Sequence, residues 1–186
     1  MKKTYYILLY GGDTCHNGTV CGPETRKRCE RLVRFIKGNP YLRYVIILSA
    51  SGSAQPGQPP LNKVMRAYLI KIFQSEFAGY KNLIAPEIIC TTDSAWNTAN
   101  ESISAAHWFE QEQTSEFYVL SSWYHLPRIC MIWNIYNGGF TIHYIPAASY
   151  DKEWAFKSTV RELFAIPKVL LCDSSSLLKK RLPIPA

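Results

Sequence analysis

The sequence predicts an α/β domain built on a five-stranded parallel sheet. Three observations carry this. Short apolar runs alternate along the chain with longer segments of helical period. Three of those runs, 5–10, 44–49 and 117–121, are almost unbroken in apolar residues, as strands covered on both faces require. The runs end in clusters of Gly, Ser, Asp, Asn or Pro, where the chain turns before the next helix.

The elements follow in order. "YYILLY" (5–10) is the first strand and stops at Gly11-Gly12-Asp13. A helix is expected over about 23–37, with Pro23 suited to its first turn and Gly38 to its end. "YVIILS" (44–49) is the second strand and leads into the loop "ASGSAQPGQPP". The second helix covers about 61–77, with Val64, Tyr68 and Ile72 on one face. "EIICT" (87–91) is the third strand. The third helix opens at "TANE", where Thr98 and Glu101 have capping-box spacing. "FYVLS" (117–121) is the fourth strand, and the apolar fourth helix follows Pro127. "FTIHYI" (140–145) is the fifth strand, and the fifth helix covers about 152–165. Residues 1–172 are expected to form one domain and 173–186 a poorly ordered tail.

A chain of 186 residues buries enough surface to fold without disulfides or a metal. Its six cysteines form no CxxC pair and match no zinc module, which fits a reducing cytosol. The apolar run near the start is too short for a signal peptide, and no run reaches transmembrane length. A cytoplasmic protein without a transmembrane segment is expected.

The formal charge is +7. Arg26, Lys27, Arg28, Arg31, Arg34 and Lys37 lie on the first helix, and Lys179, Lys180 and Arg181 lie near the end. A basic surface suits nucleic acid, anionic lipid or an anionic small molecule, but a solvated helix face explains the first group more simply. No RRM, KH or zinc-finger pattern is present, so no specific nucleic acid is expected.

Ligands of open parallel sheets bind beyond the carboxyl ends of the strands. Gly11 and Gly12 permit close backbone approach, yet GxGxxG and a Walker lysine are absent. Asp13 either forms the turn or acts on a ligand as a ribose, metal or water partner. Ser49 and Ser51 offer hydroxyls and amides to an oxyanion, or belong to a plain loop. Asp93 and Asn97 sit after the third strand, with Trp96 between them, to orient a ligand or close the turn. No metal site is assigned.

"SSWYHLPR" carries Ser121, Ser122, Tyr124, His125 and Arg128 before an apolar helix. Helix-start amides and their dipole favour an anion by about 0.3–1 kcal/mol. A guanidinium hydrogen bond adds about 1.5–3 kcal/mol, so Arg128 would dominate. Its alternatives are a salt bridge or a tucked-in stem. His125 is a proton donor or an acid/base group, or else a capping or packing histidine.

These residues resemble the YdcF/SanA/ElyC family of bacterial proteins. "VLSSWYHLPRICMIW" is similar to that family's "TSxYHxxRA" motif. "ILLYGGD", "VIILSASG", "DSAWNTANES", "IPAAS" and "RELFAIPK" match further segments in the family's order. The resemblance implies a three-layer Rossmann-like sandwich with strand order 3-2-1-4-5. It also implies S-adenosylmethionine as a candidate ligand and a link to the cell envelope. Gly11, Gly12, Asn97, Thr98, Tyr124, His125 and Arg128 match residue by residue. The family's acid before "M..yL" is missing where Leu61, Asn62 and Lys63 stand, and another appears as Thr92 beside Asp93. Together these readings give an anionic or nucleotide-like small molecule at the sheet edge. His125 and Asp13 are its catalytic candidates, for group transfer or hydrolysis. The alternative is a non-catalytic binding module with a degenerate site.

Overall fold

Strand β1 (Thr4–Leu9) is the centre of the molecule. The computed structural model of the chain describes residues 3–15, 18–50, 52–53, 57–80, 84–91, 97–136 and 139–170. Ser51, Asp93, Trp96 and the expected tail 173–186 lie outside the described residues.

β1 pairs in parallel with β4 (Arg43–Leu48) on one side and β6 (Glu116–Ser122) on the other. β5 (Glu87–Cys90) and β7 (Thr141–Ala147) complete the sheet as its parallel edges. The order is β5-β4-β1-β6-β7; counting only these five strands along the chain, that is 3-2-1-4-5. Pro146 lies in the edge strand β7, where a missing ladder donor is tolerated.

Helices cover both faces. α1 (Pro23–Lys37) and α2 (Leu61–Glu76) pack Leu32, Ile36, Met65 and Leu69 onto Ile7, Leu9, Ile46 and Leu48. α3 (Thr98–Gln111) and α4 (Leu126–Tyr136) pack Ile103, Phe109, Ile132 and Trp133 onto Leu8, Ile47, Phe117 and Val119. Alternate residues of β1 therefore enter opposite cores, which explains its unbroken apolar run. Phe109 stacks on Phe117 with ring centroids 3.9 Å apart. α5 (Lys152–Lys168) lies against α4, and Val169 just beyond it joins the second core.

Several boundaries differ from the sequence expectation. A small antiparallel hairpin, β2 (Thr14–Cys15) with β3 (Val20–Cys21), stands between β1 and α1. Two-residue strands leave no periodic signal. α4 begins at Leu126, earlier than the apolar run suggests, with Pro127 in its first turn, a place that suits it. α5 continues to Lys168 and takes in Pro167. α3 is capped by Asn97, whose Oδ1 accepts from the Asn100 amide at 2.9 Å, so the Thr98–Glu101 capping box does not form.

The turn after β1 is tight because two glycines build it. A Cβ on Gly11 would lie 2.6 Å from both Ala50 Cβ and Leu61 Cδ2, and one on Gly12 would lie 2.9 Å from Thr25 Oγ1. Gly11→Ala should therefore overpack the contact with α2 and lower stability by about 1–3 kcal/mol. Urea unfolding checks this, and an unchanged midpoint would show that the turn has slack.

Candidate functional site

The sheet reverses winding between β1 and β6. From β1 the chain crosses through α1 to β4; from β6 it crosses through α4, on the other face, to β7. The strand ends diverge there and leave a crevice. A cavity of about 380 Å³ opens at this point. Its wall gathers Asp13, Glu24, Glu101, Arg28, Arg128 and Arg161, together with the Gly11-Gly12 turn. A larger hollow of about 550 Å³ lies between Trp123, Tyr150 and Phe156, but its lining brings together fewer charged groups. The crevice is therefore the candidate site.

Arg28 forms its floor. Nε donates to Ser122 Oγ at 2.8 Å, and Nη1 donates to the carbonyls of Tyr10, at 3.3 Å, and Gly11. Only 3% of its surface is exposed, so Arg28 departs from the solvated helix face expected for the basic residues of α1. Glu24, one turn earlier on α1, is also buried. It accepts from the Ser122 hydroxyl, from Ser149 Oγ at 3.2 Å and from the Tyr150 amide at 3.4 Å. Ser122 thus joins a buried acid and a buried base.

Asp13 has a local task. α1 is preceded at its N-cap by Gly22, which has no side chain to offer. The Asp13 carboxylate takes that place, packed against Gly22 Cα, and Oδ1 accepts from the Thr25 amide at 2.9 Å. Asp13 still lines the crevice, but its position is set by capping.

His125 is equally committed. Arg128 Nη2 lies 2.8 Å from His125 Nε2, and a guanidinium can only donate. Nε2 therefore accepts, and the ring proton sits on Nδ1, where it donates to Ser121 Oγ at 3.1 Å. Thr98 Oγ1 also approaches Nε2, at 3.2 Å. Burial, reinforced by Arg28, Arg128 and Arg161, holds the imidazole well below its usual 6.5, so it is neutral.

Arg128 is paired. Nε and Nη2 donate to the two carboxylate oxygens of Glu162 on α5, at 2.5 and 3.1 Å. Of the alternatives the sequence left for Arg128, the salt bridge forms, and the side chain still lines the crevice. Tyr124 is buried on the crevice wall, where burial, followed by Glu24, raises its hydroxyl pKa. Ser121 and Ser122 are fully buried and orient His125, Arg28 and Glu24 rather than lining the cavity. Ser49 is fully buried and absent from the crevice wall. Gly11, Gly12 and Asn97 do line it.

Glu101 is the unassigned group. Burial pushes its carboxyl from the ordinary 4.5 to about 8, against the pull of Arg28, Arg128 and the Gly11 backbone. Its buried Oε2 has no hydrogen-bond partner among the described residues. Trp154 and Arg161 of α5 close the opposite wall. Sequence reasoning passed over Glu24, Arg28, Glu101, Trp154 and Arg161. Two signals were present: an acid and a base at i, i+4 in the first turns of the helix that follows Gly22-Pro23, and Asn97-x-x-Asn100, an alternative cap that releases Glu101. Among the described residues no group of three His, Cys, Asp or Glu is arranged to hold a metal.

Glu101 makes a pH prediction. The folded chain keeps its proton up to about pH 8, whereas the unfolded chain loses it near 4.5. The stability it contributes is full below 4.5 and is lost as the pH rises to about 8. Relative to Glu101→Gln, the wild type should lose up to about 4 kcal/mol over three pH units in that window. His125 acts in the opposite sense and only below its ordinary 6.5, so the difference between the two proteins isolates Glu101. Parallel urea titrations across the pH range measure it; coincident profiles would show an ordinary carboxylate. Comparison with protein-family models, with curated proteins and with solved structures finds no match to this chain.

Proposed function

We propose that the crevice binds a small polar molecule bearing a phosphate or carboxylate, and that Glu101 exchanges a proton with it in a group-transfer or hydrolytic reaction. One observation carries this: a carboxyl whose pKa burial raises to about 8 lines a cavity at the winding reversal of the sheet, among arginines from α1, α4 and α5. A carboxyl with a pKa near neutrality is suited to give and recover a proton at working pH. Arg161 is 70% exposed at the rim, 3.9 Å from Glu162, and supplies the accessible cation for the anionic group. Arg128 supplies a fixed one, held in orientation by Glu162 and His125. The YdcF-like motifs support the same reading and add nucleotide-like ligands, S-adenosylmethionine among them, in a cytoplasmic bacterial protein tied to envelope physiology.

A second reading has its own observation. Asp13 and His125 are both fixed by structural hydrogen bonds. That favours a binding module without turnover.

Thermal denaturation against a panel of nucleotides, phosphometabolites and S-adenosylmethionine tests both. Wild type should be stabilised by at least one compound, and Arg161→Ala should remove most of that shift without lowering the unliganded melting temperature. Glu101→Gln should retain the shift and lose any turnover by about 100-fold or more. No shift across the panel would sink the binding reading. Turnover that survives Glu101→Gln would remove its catalytic role.

A further inference from the structure

α5 turns an apolar face to solvent. Phe156, Val160, Leu163, Phe164 and Leu170, the last just beyond the helix, are 71, 38, 63, 78 and 53% exposed. Their spacing places them together on one side, opposite the buried Ser158 and Glu162. A helix on a globular surface ordinarily carries polar residues there. Trp123 and Tyr150 extend the patch, because both share a hollow with Phe156. The side chains of α5 alone expose on the order of 600 Å² of apolar surface, the size at which a patch marks an interaction site.

The exposed charges beside the stripe are mainly basic, with Asp151 and Glu153 as the exposed acids. Lys152, Lys157 and Lys168 are exposed along α5, while Arg161 turns to the crevice and Glu162. Glu153 is paired with Lys157 at 2.6 Å, Asp151 caps the helix, and Glu162 is turned inward onto Arg128. The whole chain carries +7. Aromatic and aliphatic side chains facing outward, with lysine at the margin, are the composition of a helix that lies in the plane of a lipid headgroup layer. Phenyl and indole groups enter the acyl boundary, and the cations meet anionic headgroups. No helix among the described residues is long and apolar enough to cross a membrane, so this contact would be peripheral.

We propose that α5, with Trp123 and Tyr150, docks the protein on an anionic lipid surface. A second copy of the chain fits less well. Its mainly basic margin would face an identical one across a two-fold contact, and like charges juxtaposed at an interface are costly.

Co-sedimentation of the full chain with vesicles tests this, comparing phosphatidylcholine alone with phosphatidylcholine containing phosphatidylglycerol. Wild type should pellet with the mixed vesicles and stay in solution with the neutral ones, and added salt should weaken binding. Tryptophan emission should shift to the blue as Trp123 leaves water. Phe156→Ser with Phe164→Ser should weaken binding by about tenfold or more, since each removes an inserted apolar group. Both positions are exposed, so the fold should persist by circular dichroism, and stabilisation by crevice ligands should be unchanged. A protein that ignores both kinds of vesicle, or a double variant that binds as the wild type does, overturns the proposal. So does equal binding to neutral vesicles. A dimer in sedimentation velocity that the double variant dissociates would assign the face to a second copy instead. None of these results bears on the crevice, whose ligands are read separately.

Discussion

A buried guanidinium holds the site together. Where β1 and β6 diverge, the sheet has no further ladder to offer, and the carbonyls of Tyr10 and Gly11 end inside the protein. An unpaired buried carbonyl is costly, on the order of 1–3 kcal/mol. Arg28 meets both and uses a third donor on Ser122. Its own charge is buried in turn and requires a counter-charge, which Glu24 supplies through the same Ser122. The Gly11-Gly12 turn, the register of α1 and the serine pair of β6 follow from this one need. Asn62 plays a neutral version of the part between β4 and β5, donating to Thr91 O at 2.9 Å.

The opposite face is closed by a directed chain of hydrogen bonds. The Trp133 indole donates to the Tyr10 hydroxyl at 3.0 Å, Tyr10 donates to Ser102, and Ser102 donates to the Thr98 carbonyl at 2.8 Å. Each of the two hydroxyls is used once as donor and once as acceptor. The chain pins the start of α3 to α4 and to β1. Thr98 and His125 are thereby brought together, and His125 fixes Arg128. The residues of "SSWYHLPR" act chiefly as a frame, and the groups they hold in place face the cavity.

This explains which parts were legible in the sequence. The five strands, five helices and parallel sheet follow from apolar periodicity, which is a local property of the chain. Crevice position follows from the sheet edge, and Gly11, Gly12, Asp13, Asn97, Tyr124, His125 and Arg128 do converge on it. Roles were less legible, because they depend on partners distant in the chain. Asp13 looks catalytic until Gly22, nine residues on, proves to need a cap. Arg128 looks free until Glu162 arrives from α5. Glu101 looks like a cap until Asn97 takes that position and leaves its carboxyl buried. For Asp13 and Arg128 a contact distant in the chain reassigned a residue whose local spacing was ambiguous; for Glu101 a competing local cap did so.

α5 connects these ideas. Its inner side contributes Trp154 and Arg161 to the crevice and Glu162 to Arg128, while its outer side is apolar. The helix has few apolar residues directed into the core, with Val169 at its end as the buried anchor. The Arg128–Glu162 pair therefore carries a large share of its attachment. A paired, largely buried carboxylate and guanidinium define orientation more than they add stability, because desolvation offsets much of their attraction. The cation at the rim, the indole on the wall and the orientation of Arg128 are all set by the seating of this one helix. Of the walls around the crevice, α5 is the one whose position depends on polar contacts rather than on the cores that fix β1, α1, α3 and α4.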